Sequence, residues 1–214
     1  MTEYLTLKGK GTNEFTEKKS RFIGRAAPAH TQEEALAFLA QVKKTHWDAK
    51  HNVSAYVLRS GEQHCSDDGE PQGTAGVPVL NVLLKSGVTD AVVTVTRYFG
   101  GILLGTGGLV RAYSHGASIA LAAAGIFCMK PCLLLRAFCT YSQYGKLASL
   151  LPEHAAVVDN AVFAEQVTLD FHMEAEKLPD LEAALADATA GTVHPEQIGM
   201  KFFPTEVNLH EKCE

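Results

Sequence analysis

The spacing of apolar residues changes several times along this chain, and each change predicts an element. Residues 20–28, SRFIGRAAP, read as a strand closed by Pro28. Thr31 and Glu34 form a capping-box signature, and Ala35, Leu36, Leu39 and Val42 continue one apolar helical face. Asn52 to Leu58 alternates as a strand, a polar loop follows from Gly61 to Gly76, and Pro78 stands at the start of a helix carrying Val79, Leu80, Leu83 and Leu84. Ala91 to Thr96 has the continuous β-branched character of a buried strand, and Leu109 to Ala124 predicts a helix stopped by Gly125. Ala112, Gly116, Ala120 and Ala123 give that helix a small-residue stripe for close packing on a sheet. Arg111, Ser114, His115 and Ser118 fall on another, polar face.

The C-terminal part has a plainer order. Leu133 to Tyr141 predicts a strand, and Tyr144 to Leu151 a short helix stopped by Pro152. Ala156 to Ala164 and Gln166 to Met173 predict two strands, Leu178 to Ala188 a helix, and Ile198 to Leu209 contains a last strand. That β-α-β-β-α-β order is the plan of a ferredoxin-like two-layer sandwich. The whole chain is therefore expected to be α+β with two domains, residues 1–132 and 133–214.

Composition bounds the function. The 214 residues are 46% hydrophobic and 20% charged, as in an ordinary globular protein, and no apolar run reaches the roughly 18 residues that a membrane span needs. No apolar signal core opens the chain, so a cytoplasmic location is expected and no membrane partner. Five cysteines without a C-x-x-C pair read as reduced thiols. The net charge of −5 is unevenly spread: residues 1–132 carry 14 Lys+Arg against 11 Asp+Glu, and residues 133–214 carry 5 against 13. Only the first domain favours a polyanion, and mildly.

The densest chemistry lies in two loops. Gly100, Gly101, Gly105, Gly107 and Gly108 put five glycines into nine residues between a strand and a helix. This is neither a P-loop, which needs Lys and Ser/Thr after its last glycine, nor a dinucleotide fingerprint, because Val110 occupies the third glycine's place. Unpaired N–H groups at a helix start attract anions, so Gly105, Thr106, Gly107 and Gly108, with Arg97, Arg111 and Lys50, are candidates for an anion or nucleic-acid site. The alternative is that the glycines serve close packing alone.

The second loop, SDDGEPQGTAG, holds Ser66, Asp67, Asp68, Glu70 and Thr74. Its carboxylates can hold a hard cation or supply a base, or they can accept backbone N–H groups within turns. No His or Cys spacing builds a zinc site and no nucleophile elbow is present, so no metal or cofactor is expected and no catalytic residue is assigned. Arg97 or Arg111 then either holds an anion or pairs with Asp67, Asp68 or Glu70 to staple the two loops. Tyr98, Phe99 and Tyr113 offer rings for base stacking, with core packing as the default. As halves of one site, the two loops are expected side by side on the first domain.

SDDGEPQGTAGVPVL (Ser66 to Leu80) and VTRYFGGILLGTGGLVRAYS (Val95 to Ser114) closely resemble signatures of the YigZ/IMPACT family; KKSRFIG (Lys18 to Gly24) and HNVSAY (His51 to Tyr56) resemble its earlier blocks. The resemblance implies an N-terminal ribosomal-protein-like α+β fold similar to domain IV of elongation factor G. It also implies a C-terminal ferredoxin-like domain similar to domain V of that factor. Eukaryotic relatives regulate translation by binding the activator of a starvation-sensing kinase. For this chain the resemblance implies a non-enzymatic, translation-associated protein that contacts RNA, the ribosome or a protein partner. An enzyme acting on a small phosphorylated ligand is the alternative. One departure stands out: Val77 stands where the family commonly has lysine, and some members also have lysine at the position of Leu103. Oligomeric state is not readable.

Overall fold

The computed structural model describes residues 2–206, and the end of the last predicted strand, residues 207–209, and Cys213 lie outside them. The chain divides into two compact units, one mainly Tyr4–Cys128 and the other mainly Met129–Pro204.

The first unit is built on β1 (Tyr4–Leu7), β2 (Gly11–Glu17), β3 (Ser20–Pro28), α1 (Gln32–Thr45), β4 (His51–Val57), β5 (Gln63–Ser66), α2 (Gly76–Ser86), β6 (Ala91–Tyr98) and α3 (Thr106–Ala124). Its sheet runs β2-β3-β6-β4-β5, antiparallel at every pairing. Period-two alternation sends Val93 and Val95 into a core with Val79, Leu83, Leu109, Tyr113 and Ala117 of α2 and α3. Val92 on the other face joins Ala35, Tyr56 and Leu58 beneath α1. Two helices therefore cover one face and one helix the other.

The small-residue stripe has a direct cause. A Cβ on Gly24 of β3 would stand 2.1 Å from the Gly116 carbonyl oxygen, so strand and helix approach as only glycine permits. Ala112, Gly116 and Ala120 are buried as expected, but Ala123 is exposed and Ala117 and Ala124 continue the stripe instead. Thr31 caps α1 by accepting from the Glu34 N–H, while Glu34 reaches past the cap to the N–H of His30 at 2.7 Å. The expected single polar loop contains β5, whose sequence QHCS lacks apolar alternation because both its side-chain rows lie near the surface.

The second unit comprises β7 (Ile126–Cys139), α4 (Tyr141–Glu153), β8 (Val157–Phe163), β9 (Val167–Glu174), α5 (Leu178–Thr189) and β10 (Glu196–Glu206), in the sheet order β10-β7-β9-β8. That is the ferredoxin-like βαββαβ order. Leu133, Leu135 and Ala137 of β7 alternate inward, as do Val167, Leu169, Phe171 and Met173 of β9, against Leu147 and Leu151 of α4 and Leu181 and Leu185 of α5. Pro152 sits inside the last turn of α4 rather than ending it, where a missing N–H costs a single bond.

Candidate functional site

The carboxylates of the SDDGEP loop point three ways. Asp67 Oδ2 accepts from the Gly73 N–H at 2.8 Å, and its Oδ1 accepts from Ala75 and Gly76 at 3.1 and 2.7 Å. It thereby closes the loop and satisfies orphan donors at the start of α2. Burial pushes its pKa up, but those three N–H groups outweigh burial and hold it below the usual carboxylate value. Asp68 sits at φ 44°, accepts from Lys43 Nζ and from the Asn52 N–H, both at 2.7 Å, and is also held low. Its burial is likewise outweighed, by the lysine and that N–H. Glu70 turns inward: Oε1 accepts from Arg97 Nη1 and from the Tyr113 hydroxyl, both at 2.7 Å. Ser66 Oγ accepts from the Asp68 N–H, and Thr74 Oγ1 donates to the Pro71 carbonyl.

In this arrangement Asp67, Asp68 and Glu70 each accept from donors of their own, the turn-anchoring alternative for the loop. No group of three His, Cys, Asp or Glu among the described residues is placed to hold a metal. The carboxylates serve as turn and loop anchors because each meets its own donors before it can meet the others.

The glycine loop begins with a close approach. A Cβ on Gly100 would lie 2.0 Å from the backbone of Lys19, and its N–H donates to Ser20 Oγ at 3.2 Å. The loop thus lies against the turn joining β2 and β3. Helix α3 starts at Thr106, three residues earlier than its apolar pattern predicts, with Gly105 at φ 71° as a cap that offers no side chain. Gly107 and Gly108 belong to the first turn, and a Cβ on Gly108 would crowd Leu104 at 2.9 Å. The early start leaves Arg111 beyond that first turn, and the two arginines do not meet. Arg97 is 5% exposed and paired with Glu70, whereas Arg111 is exposed. The staple between loops is therefore Arg97–Glu70, and the joint Arg97–Arg111 anion clamp is not formed.

The two loops border one cleft of about 480 Å³. From one side come Lys50, His51, Gly69, Glu70 and Pro71; from the other come Arg97, Phe99, Leu103, Leu104, Gly105 and Thr106. Gly108 and Arg111 line a neighbouring cleft of about 340 Å³ with Phe15, Lys18 and His115. Leu104 is shared by both, so the glycine loop forms a ridge between them. Leu103, 81% exposed, stands on that ridge with Ile102 and Phe99 also exposed. Gly107 lines neither cleft, and Ser66, Asp67, Asp68 and Thr74 hold the opposite loop in shape from behind.

His51 and Tyr113 were the undervalued residues. His51 opens β4 directly across from Arg97 in the β4–β6 register. Its Nδ1 donates to the Asp68 carbonyl at 2.9 Å, leaving Nε2 3.6 Å from Glu70 Oε1. Tyr113 is core, but its hydroxyl anchors Glu70, and burial with that carboxylate pushes its pKa far up. The sequence signal was register: residues at strand ends face one another once the pairing is known.

The sequence matches the Impact N-terminal domain over residues 18–121 and DUF1949, a domain of unknown function, over residues 138–192. It is 36% identical to the IMPACT family member YvyE of Bacillus subtilis (strain 168), across 99% of this chain and 98% of that protein. The chain belongs to the IMPACT family. A second member, YigZ of Escherichia coli (strain K12), is 38% identical over 82% of this chain and 88% of its own length. A crystal structure titled as that of a hypothetical protein is 36% identical, with a TM-score of 0.59, covering 92% of this chain and 98% of its own. Both loops of the cleft lie inside the Impact N-terminal match. Val77 and Leu103 are both exposed. No described helix is long and apolar enough to cross a membrane.

Proposed function

We propose that this protein is a non-enzymatic, translation-associated regulatory factor whose first unit docks on RNA, as found in the ribosome, through the ridge at Gly100–Gly108. IMPACT membership supports a regulatory role at the family level. The observation that carries the docking reading is the contrast in charge pairing around the ridge. Lys18, Lys50 and Arg111 border its two clefts and make no ion pair among the described residues, and they outnumber the one carboxylate in the same position, Glu17, while Glu70 is held by Arg97 and Tyr113. Free cations flanking exposed Phe99 and Leu103 suit a phosphate backbone with unstacked bases. Co-sedimentation of the tagged protein with polysomes, with and without RNase, tests the reading. RNase-sensitive association is expected, and a protein that stays in the soluble fraction under both conditions rejects it.

The second reading, an enzyme for a small phosphorylated ligand, is favoured by one observation: His51 faces Glu70 in a cleft reached by the uncapped start of α3. Turnover of a phosphorylated compound that is lost in His51→Ala would decide for it.

A further inference from the structure

A third cleft lies elsewhere on the first unit, lined by Lys10 and Thr12 at β2, Arg25 on β3, and Gln41 and Thr45 near the end of α1. It shares no lining residue with the clefts beside the ridge. At about 170 Å³ it falls below the roughly 300–1,000 Å³ of sites that enclose drug-sized molecules. It has room for about five waters at ~30 Å³ each. Its charged lining is positive throughout: Lys10 and Arg25, with no carboxylate.

Among the described residues, three buried polar atoms on this face of the sheet lack a partner. Arg25 Nη1 is one, and Thr94 Oγ1, directly across from Arg25 in the β3–β6 register, is the second. The third is His46 Nε2, at the end of α1. Buried polar atoms are nearly always satisfied, so Arg25 Nη1, which can only donate, points to a missing acceptor in the cleft that Arg25 lines. Glu14, whose charge reaches Arg25, is already held by Arg21 at 2.6 Å. Asp48 is engaged by the Tyr98 hydroxyl. Burial pulls Arg25 below the ordinary arginine value, as for a cation short of counter-charge. The C-terminal end of α1 contributes a negative partial charge of about one half, which two whole cations outweigh.

We propose that this cleft is an oxyanion site that takes one phosphoryl group, with Arg25 as its main ligand, Lys10 as the second cation, and Thr12 and Gln41 as neutral donors. The phosphoryl group belongs either to a free phosphorylated small molecule or to a nucleic-acid backbone; the recognising chemistry is the same. The inference does not depend on the ridge reading, because the two sets of residues are separate.

The test is titration of the full chain with inorganic phosphate and pyrophosphate by calorimetry, at matched ionic strength. Saturable binding is expected, weakened about tenfold or more in Arg25→Gln and less in Lys10→Gln. Without phosphate, Arg25→Gln should melt no lower than the parent, since it removes a partly buried cation that has no partner. If Arg25→Gln nevertheless unfolds, Lys10→Gln decides, because Lys10 is exposed and unpaired among the described residues. Competition then separates the sources: displacement of pyrophosphate by a short oligouridylate identifies a nucleic-acid backbone, and displacement by AMP alone identifies a small molecule. Absence of saturable binding by the parent, or binding unaltered in both Arg25→Gln and Lys10→Gln, overturns the proposal.

Discussion

Residues 66–76 and 99–108 are both irregular, both rich in glycine and both border the same cleft, yet they use their groups in opposite directions. The first loop turns its carboxylates inward, where Asp67 meets three N–H groups, Asp68 meets Lys43, and Glu70 meets Arg97 and Tyr113. The second presses one glycine against a hairpin and leaves Phe99, Ile102 and Leu103 exposed. Polar composition thus marks the self-satisfied loop, and apolar composition marks the open one. A loop's chemistry is read from what its groups still lack after folding, not from the groups themselves.

The strongest way to break this comparison is at the staple between the loops. Arg97→Ala leaves Glu70 buried without its cation and should cost about 3–5 kcal/mol in urea unfolding. Glu70→Gln should cost a similar amount, whereas an Arg97→Met, Glu70→Leu double replacement should cost less than the two singles together. An Arg97→Ala protein as stable as the parent would remove the staple from the account. Gly100→Ala comes next, since its methyl would collide with the Lys19 backbone; a loss of about 1–3 kcal/mol is expected from overpacking.

Asp67→Asn should cost about 1–2 kcal/mol, because an amide cannot accept all three N–H groups. Its pH dependence has a definite sign. The folded pKa of Asp67 lies below its unfolded value of about 3.9, so the stabilisation is fully present above that value and is lost as pH falls through the lower folded one. Asp68 acts in the same direction. The parent should therefore lose melting temperature below about pH 4, and Asp67→Asn should lose it less steeply. Equal slopes in the two proteins would place the acid sensitivity elsewhere.

Much of the architecture was legible because long-range packing agreed with local pattern. The strands expected at Leu133–Tyr141 and Gln166–Met173 are present as parts of β7 and β9, and Ser20–Pro28 came out with the expected bounds. What failed was local structure dictated by contacts distant in sequence. Helix α3 starts at Thr106, and a Cβ on Gly108 in its first turn would crowd Leu104, a contact invisible to apolar spacing. The fate of Arg97 was similarly hidden. Its strand position was plain, but only the β4–β6 register sets it across from His51, and only the fold of residues 66–76 delivers Glu70 to it. Arg111 lines the neighbouring cleft rather than the one that Arg97 lines, a separation that apolar spacing does not encode.

The smallest effects on stability belong to the ridge cations, and they test its open character most directly. Lys50→Ala and Arg111→Ala remove exposed charges without ion-pair partners among the described residues, so unfolding free energy should move by less than about 0.5 kcal/mol. Affinity for single-stranded RNA should still fall. Each lost phosphate contact should also lower the slope of log affinity against log salt by roughly 0.7. Leu103→Lys runs the opposite way: it places a cation on the most exposed point of the ridge and should raise both affinity and slope. A contact read through bases alone would instead follow Phe99→Ala and ignore salt. If neither charge nor ring changes RNA affinity while stability stays level, the ridge is not the docking surface, and the difference between the two loops is one of packing alone.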